Sequence, residues 1–341
     1  MALSDSHKAD LLLVFVTLLA AVSWAFSKEA VLLMPPLLFM AMRFLMAGAI
    51  LAFFARHQLP RLGVRQMLRG ARVGLVFGSA MSCWVMGIWL GVNLGEAAFI
   101  TSLAVVIVPA IARIFFREPQ PLNTWLAIPV AISGLALLSL ENGFRPEPGQ
   151  MLFVVAALIF AMSYILTSRT ANTRTVVNAS GEQVVKQKVP ALPLTALSMT
   201  TAGVLTGLVS LIFEEWQPTF DNFTGPMFWW LVGSATIGTA FRFLLQTYAQ
   251  SLSFNSHGVV ILILEPVWVA LLAWVWFSQT MSPTQIAGCC VILLALLINR
   301  WTVLARAIRN WLRKSARARR IARIRATNRE SGQHKKVREN G

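Results

Sequence analysis

The sequence predicts an all-α polytopic membrane protein of ten transmembrane helices, arranged as two inverted five-helix repeats. The first observation is composition: the 341-residue chain is 56% hydrophobic and only 13% charged, with a mean hydropathy of +0.64. A soluble domain of that length cannot hide so much apolar surface. The second is a series of ten apolar runs, most of them close to the roughly 20 residues that cross a ~30 Å hydrocarbon core. The third is that the basic residues gather in alternate loops. The net charge of +16 is therefore a topology signal before it is a ligand signal, and nucleic acid is not an expected partner.

Residues 1–8 form a cytoplasmic stub without the short core and small-residue cleavage site of a signal peptide. The first repeat, 9–149, holds spans at Ala9–Ser27, Pro36–Ala55, Ala71–Leu90, Glu96–Phe116 and Asn123–Leu140. The second, 150–299, holds Gln150–Ser168, Ala191–Phe213, Met227–Ser251, Gly258–Ser278 and Pro283–Asn299. Between its first two spans, residues 169–190 are rich in Thr, Asn, Ser, Gly and Lys and read as a mobile cytoplasmic loop. In the basic tail, 300–341, Trp301, Leu304, Ile308, Trp311 and Leu312 share one helical side and arginines fill the other. That pattern is an interfacial helix lying on anionic lipid.

With the first residues inside, internal loops collect Arg56, Arg61, Arg65, Arg69, Arg72, Arg113, Arg117, Arg169, Arg174, Lys186 and Lys188. External loops carry only Lys28 and Arg145, beside Glu29, Glu96, Glu141, Glu147, Glu214, Glu215 and Asp221. Both termini are therefore expected to be cytoplasmic. Five spans per half is an odd number, so a duplicated half enters the bilayer upside down relative to its twin. Pro109 and Pro266 stand at matching places in the two halves. Each is expected to kink its span and point to a central path, since a freed carbonyl in a membrane needs protein or water. Gly70, Gly74, Gly78 and Ser82 recur every four positions, the small-residue stripe of closely packed membrane helices.

A lone charge at mid-bilayer costs roughly 2.5–3.5 kcal/mol on insertion scales, so the ionisable residues within spans stand out. Arg242 and Glu265 flank the short turn near Ser253 and Phe254 by similar distances, and a helical hairpin would pair them at one depth. The pair is either a cavity wall that orients a zwitterionic or anionic solute, or a permanent bridge between two helices. Arg43 lies inside the second span, with Glu29 and Glu96 at a depth to neutralise it; the alternative is an arginine snorkelling to the surface or capping carbonyls. Trp24, Trp84, Tyr164 and Trp268 are deep enough to line a pocket, helix packing or lipid contact being the plainer role. Gln246, one turn from Arg242, adds a polar face. Cys83, Cys289 and Cys290 sit inside apolar runs as packing residues. No catalytic group, metal site or cofactor is expected, because no ligand spacing or nucleophile–base pattern occurs.

Trp24-Ala25, the proline pair Pro35-Pro36, and Arg43 opening the second span resemble the EamA type of the drug/metabolite transporter superfamily. So do AAFITSLAVVIVPAIARIFFREPQPLNTWLAIPVAISGLALLSL and LEPVWVALLAWVWFSQTMSPTQIAGCCVILLALLI. The resemblance runs from about Leu11 to Asn299. It implies ten helices in two inverted repeats, cytoplasmic termini and export of metabolites or amino-acid-like solutes. The chain departs from the family at Ser278-Gln279, where a glycine-glutamate pair often stands. The expected function is that of a non-enzymatic secondary transporter in the inner membrane, exporting a small molecule by alternating access through a central cavity. Two other roles stay open: a flippase for a lipid-linked headgroup, and a membrane scaffold or sensor acting through its loop and tail.

Overall fold

The structure, a computed structural model, describes residues 5–117, 120, 122–138, 147–172, 174–177, 183–245 and 262–299, with positions 301, 305 and 309. Gln246, the turn near Ser253 and most of the tail lie outside them. Among the described residues, seven helices are long and apolar enough to cross a membrane. They are α1 (Asp5–Ala30), α2 (Pro36–Phe54), α3 (Val64–Trp89), α4 (Leu94–Phe116), α6 (Pro148–Ala171), α7 (Ala191–Phe213) and α8 (Gly225–Leu245). Three more apolar helices are shorter than these seven among the described residues: α5 (Leu122–Leu138), α9 (Glu265–Phe277) and α10 (Pro283–Asn299), the last with the bounds expected from the sequence. Phe53, Ile114, Phe115, Ile212, Phe213 and Val275 are each more than half exposed, an outward apolar belt that only lipid can satisfy.

The segment expected as a mobile loop contains a hairpin, β1 (Arg174–Val177) antiparallel to β2 (Gln183–Lys186). Its return is docked on α3. The Gln66 side chain donates to the Lys188 carbonyl at 2.9 Å and Arg69 to that of Gln187 at 2.8 Å. Val189 is buried against Val73 and Leu194.

Helix α2 packs on α7, α5 on α10, α3 on α6 and α7, and α4 on α6 and α9. Helix α8 packs on α1 and α2, and α9 on α1. A methyl group added at Gly48 would strike Thr200, one at Gly203 would strike Leu45, and one at Gly207 would meet Ala41. The partner number falls as the other rises, so α2 and α7 run antiparallel. Gly134 against Ile292 and Gly288 against Leu138 give the same sense for α5 and α10. The stripe Gly70, Gly74 and Gly78 meets Leu197, Ser198 and Ala202 of α7, with both numbers rising, so these two helices are parallel. Missing side chains let the backbones approach, and in lipid close van der Waals contact stands in for hydrophobic burial.

At one end of the bundle α1, α3, α7 and α9 finish while α2, α4, α6 and α10 begin. We call it the capped end. The Glu214 carboxylate accepts from the Leu37 and Leu38 amides of α2, at 2.9 and 2.8 Å, and the Gln279 side chain accepts from Leu94 of α4 at 3.0 Å. Each closes helix-start donors that hydrocarbon would leave unpaired.

The two prolines differ from expectation. Pro109 lies within α4 and frees the Val105 carbonyl, but Asn299 of α10 donates its Nδ2 to that oxygen at 2.9 Å. The freed carbonyl is answered by a neighbouring helix and not by a cavity. Pro266 occupies the first turn of α9, after a 3-10 turn at Leu262–Leu264. Within α9 it costs no α-helical bond, because a first-turn residue has no acceptor in its own helix to lose.

Candidate functional site

In mid-bundle lies a cavity of about 130 Å³. Ser23 and Trp24 of α1, Arg43 and Phe44 of α2, Phe77, Met81 and Trp84 of α3, and Thr101 of α4 line it. So do Phe160 and Tyr164 of α6, Arg242 and Phe243 of α8, and Glu265 of α9. Counted at 1.5 Å per residue from the capped end, where α8 also begins, the wall extends from about 8 Å at Trp84 to about 27 Å at Phe243. Both halves of the chain build it.

Arg242 and Glu265 form the expected ion pair, Nη2 to Oε2 at 3.2 Å, with both side chains largely buried. The other oxygen of Glu265 accepts from the Trp24 indole at 3.4 Å. One carboxylate thus ties α1 to α8 and α9. The Arg242 Nε is buried, and among the described residues nothing accepts from it.

Arg43 departs from its expected partners. It is 3% exposed, so it does not snorkel. Neither Glu29 nor Glu96 neutralises it: Glu29 accepts from the Trp276 indole, and Glu96 from the side chains of Gln150 and Gln285. Three hydroxyls hold the guanidinium instead. Its Nε donates to Thr239 Oγ1 at 2.7 Å, Nη1 to Ser27 Oγ at 2.7 Å and Nη2 to Ser23 Oγ at 2.5 Å. The local sequence explains this grip. Ser23 and Ser27 are one turn apart on α1. Thr239 sits in a π-helical stretch, Thr236–Phe241, where its hydroxyl donates back five residues to the Ser234 carbonyl at 3.0 Å. Such wide turns recur at functional sites because they re-aim side chains within a helix. Gly238, in that turn, has no room for a Cβ beside Ser23, so α8 meets α1 where Arg43 is gripped.

Aromatic rings supply most of the remaining wall. Trp24 meets Trp84 edge-on at 4.5 Å between ring centroids, and Phe160 stacks on Tyr164 at 6.1 Å. Phe77 bridges Phe44, Phe160 and Phe243.

Of the residues singled out in the sequence, Trp24, Arg43, Trp84, Tyr164, Arg242 and Glu265 share this cavity. Trp268 does not line it; it is packed against the apolar core, with its indole nitrogen buried and unpartnered. Phe77, Met81, Thr101, Phe160 and Phe243 were not foreseen, yet the spacing held a signal. Phe77, Met81 and Trp84 lie at i, i+4 and i+7 on one face of α3, and Phe160 and Tyr164 at i and i+4 on α6. Among the described residues no group of three His, Cys, Asp or Glu side chains could hold a metal ion.

Known proteins resemble the chain over most of its length. Escherichia coli "Uncharacterized inner membrane transporter YedA" is 25% identical over 272 residues, 77% of this chain and 81% of the relative. An "Uncharacterized transporter" of Archaeoglobus fulgidus is 24% identical over 290 residues, 85% of each chain. A crystal structure titled only as that of a protein shares the fold, with a TM-score of 0.57 at 18% identity, over 87% of this chain and 98% of that one. The sequence profile described as the EamA-like transporter family matches residues 7–140 and 147–301. With a multi-pass set of apolar helices around a central cavity, the chain belongs to the EamA-like transporter family.

Proposed function

We propose that the protein is a secondary transporter of the inner membrane, exporting a small metabolite by alternating access through the central cavity, with both termini cytoplasmic. The observation that carries this is the Arg242–Glu265 pair set beside Arg43 in a cavity built by both halves. Ionic groups at that depth are costly, and they are retained where they face a solute path.

Two inverted five-helix repeats are supported by the packing. Exchanging each helix for the one five places on returns α2–α7, α4–α9 and α5–α10 to themselves. The same exchange turns α3–α6 into α8–α1, α4–α6 into α9–α1, and α3–α7 into α8–α2. The antiparallel sense of α2 with α7 and of α5 with α10 supports inversion. Cytoplasmic termini are supported by Arg56, Arg65, Arg72 and Arg113 at the end opposite the caps, against Glu29, Glu214 and Glu215 at the capped end. The inner membrane is supported by the relative named for it.

Rocking of one half on the other would use the glycine contacts as sliding surfaces and break the Arg242–Glu265 bond in one state. A solute charge that competes for Arg242 would favour that state. The test is a comparison of solutes in the medium of cells carrying the wild-type protein, the Glu265→Gln variant or neither. We expect a solute whose export needs the protein and falls at least tenfold in Glu265→Gln at equal membrane abundance. Equal export by the variant would remove the charged wall from the mechanism.

A further inference from the structure

We infer that the cavity selects an organic solute with one net negative charge and an apolar or aromatic body, in preference to neutral, zwitterionic or cationic analogues. The inference rests on reading this cavity as the transport site. It starts from a charge count. Two guanidinium groups, Arg43 and Arg242, face the cavity, and one carboxylate, Glu265, faces them. Glu265 is paired with Arg242. Arg43 is held by three hydroxyls, which solvate a cation through their dipoles and cannot cancel its charge. The segment joining α8 to α9, residues 246–261, contains no Asp, Glu, Lys or Arg, so it brings no second carboxylate to the count. One positive charge is left over in an aromatic-walled space.

The unused donors point the same way. A guanidinium has five N–H groups in a fixed fork. Arg43 commits one from each of its nitrogens, leaving one on each terminal nitrogen without an acceptor among the described residues. Arg242 keeps a buried Nε without an acceptor. A carboxylate or a similar oxyanion fits such donors, because charge-assisted bonds to arginine are short, strong and often bidentate. An ammonium group would find a single carboxylate already taken by Arg242 and Trp24. Phe77, Phe160 and the paired tryptophans leave the rest of the solute apolar surface to cover. At about 130 Å³ the space is below the ~300–1,000 Å³ of drug-sized sites, so the solute is small.

The test is calorimetric titration of the full chain in lipid nanodiscs with four probes of one shape: benzoate, benzamide, benzylammonium and phenylglycine. Benzoate is expected to bind at least tenfold more tightly than benzamide or phenylglycine, and benzylammonium least. In Arg43→Gln the preference for benzoate over benzamide should shrink to within twofold, and in Arg43→Lys it should survive. The wild-type ranking decides the matter by itself if a variant does not fold. Benzamide or phenylglycine binding as tightly as benzoate would overturn the charge selection while keeping the cavity as a binding site. Heat from none of the four would overturn the monoanion inference too. The transport reading is then judged separately, by the Glu265→Gln export comparison.

Discussion

Arg43 and Glu96 are equally buried, each 3% exposed, and the chain treats their charges in opposite ways. Glu96 sits in the first turn of α4 and accepts from Gln150 at the start of α6 and from Gln285, at 3.4 Å, at the start of α10. Each glutamine turns its own oxygen back to its helix start, accepting from the amides of Glu147 and Ser282 at 3.0 Å. Three helix N-termini, each carrying about half a positive charge, thus meet on one carboxylate. That node is enclosed by its donors. Arg43 has only hydroxyls as hydrogen-bond partners, lies beside the Phe39 and Phe44 rings, borders a cavity and retains spare donors. The contrast teaches how to tell a buried charge that holds helices together from one kept for a solute: the first is surrounded by complementary charge, the second is solvated and left unbalanced.

The largest effects should come from replacing these two residues in parallel. Arg43→Gln is expected to lower export at least tenfold while changing unfolding stability by about 1 kcal/mol or less. Removing a buried charge recovers desolvation cost, and the hydroxyls of Ser27 and Thr239 keep their own bonds to the Ser23 and Ser234 carbonyls. Glu96→Leu should do the reverse. It strands the buried Gln150 amide at a cost of about 1–3 kcal/mol and the half-buried Gln285 amide at less, while export per folded molecule stays within about threefold. Thermal unfolding and export, measured on the same preparations, give both numbers. If the two variants look alike, the distinction between the nodes is wrong.

Much of this was legible in the sequence, because charge and aromatic rings are expensive or conspicuous inside an apolar run. That is why Trp24, Arg43, Trp84, Tyr164, Arg242 and Glu265 stood out, and the structure draws those six to one cavity. The hydroxyls that hold Arg43 did not, since Ser and Thr cost little in membrane helices and occur everywhere in them. Phe77 and Phe160 were hidden for the opposite reason: an apolar residue in an apolar helix carries no contrast, and only its spacing from Trp84 or Tyr164 could single it out. The Glu96 node had a readable signal that went unused. Glu147-Pro148-Gly149-Gln150 and Ser282-Pro283-Thr284-Gln285 share a proline followed two places on by glutamine, the mark of a helix start with a capping amide. Pro266 misled because a proline in an apolar run looks the same whether it bends a helix or begins one.

A middle-sized effect should come from Asn299. Its amide closes the Val105 carbonyl that Pro109 frees, joining α10 to α4 away from the cavity. Asn299→Leu keeps the side-chain size and is expected to cost about 1–2 kcal/mol of stability, with export per folded molecule unchanged. Restoring the missing donor by Pro109→Ala in the same chain should recover most of that loss, because the Val105 carbonyl then has its helical partner. Failure of the second substitution to recover stability would mean that Asn299 matters for some other contact.

The smallest effect tests the edge of the cavity. Trp268 has a buried indole nitrogen with no acceptor, and its ring packs in the core beside the lining rather than in it. In Trp268→Phe an unsatisfied donor disappears, which offsets part of the packing lost with the smaller ring. The net change in stability should be about 1 kcal/mol or less, and export should stay within twofold. The comparison with Arg43 makes this informative, since both residues keep donors that no protein atom accepts. If only Arg43 serves the solute, Trp268→Phe is silent. If export falls tenfold, the indole donates to the solute as well, and the cavity reaches past Glu265 along α9.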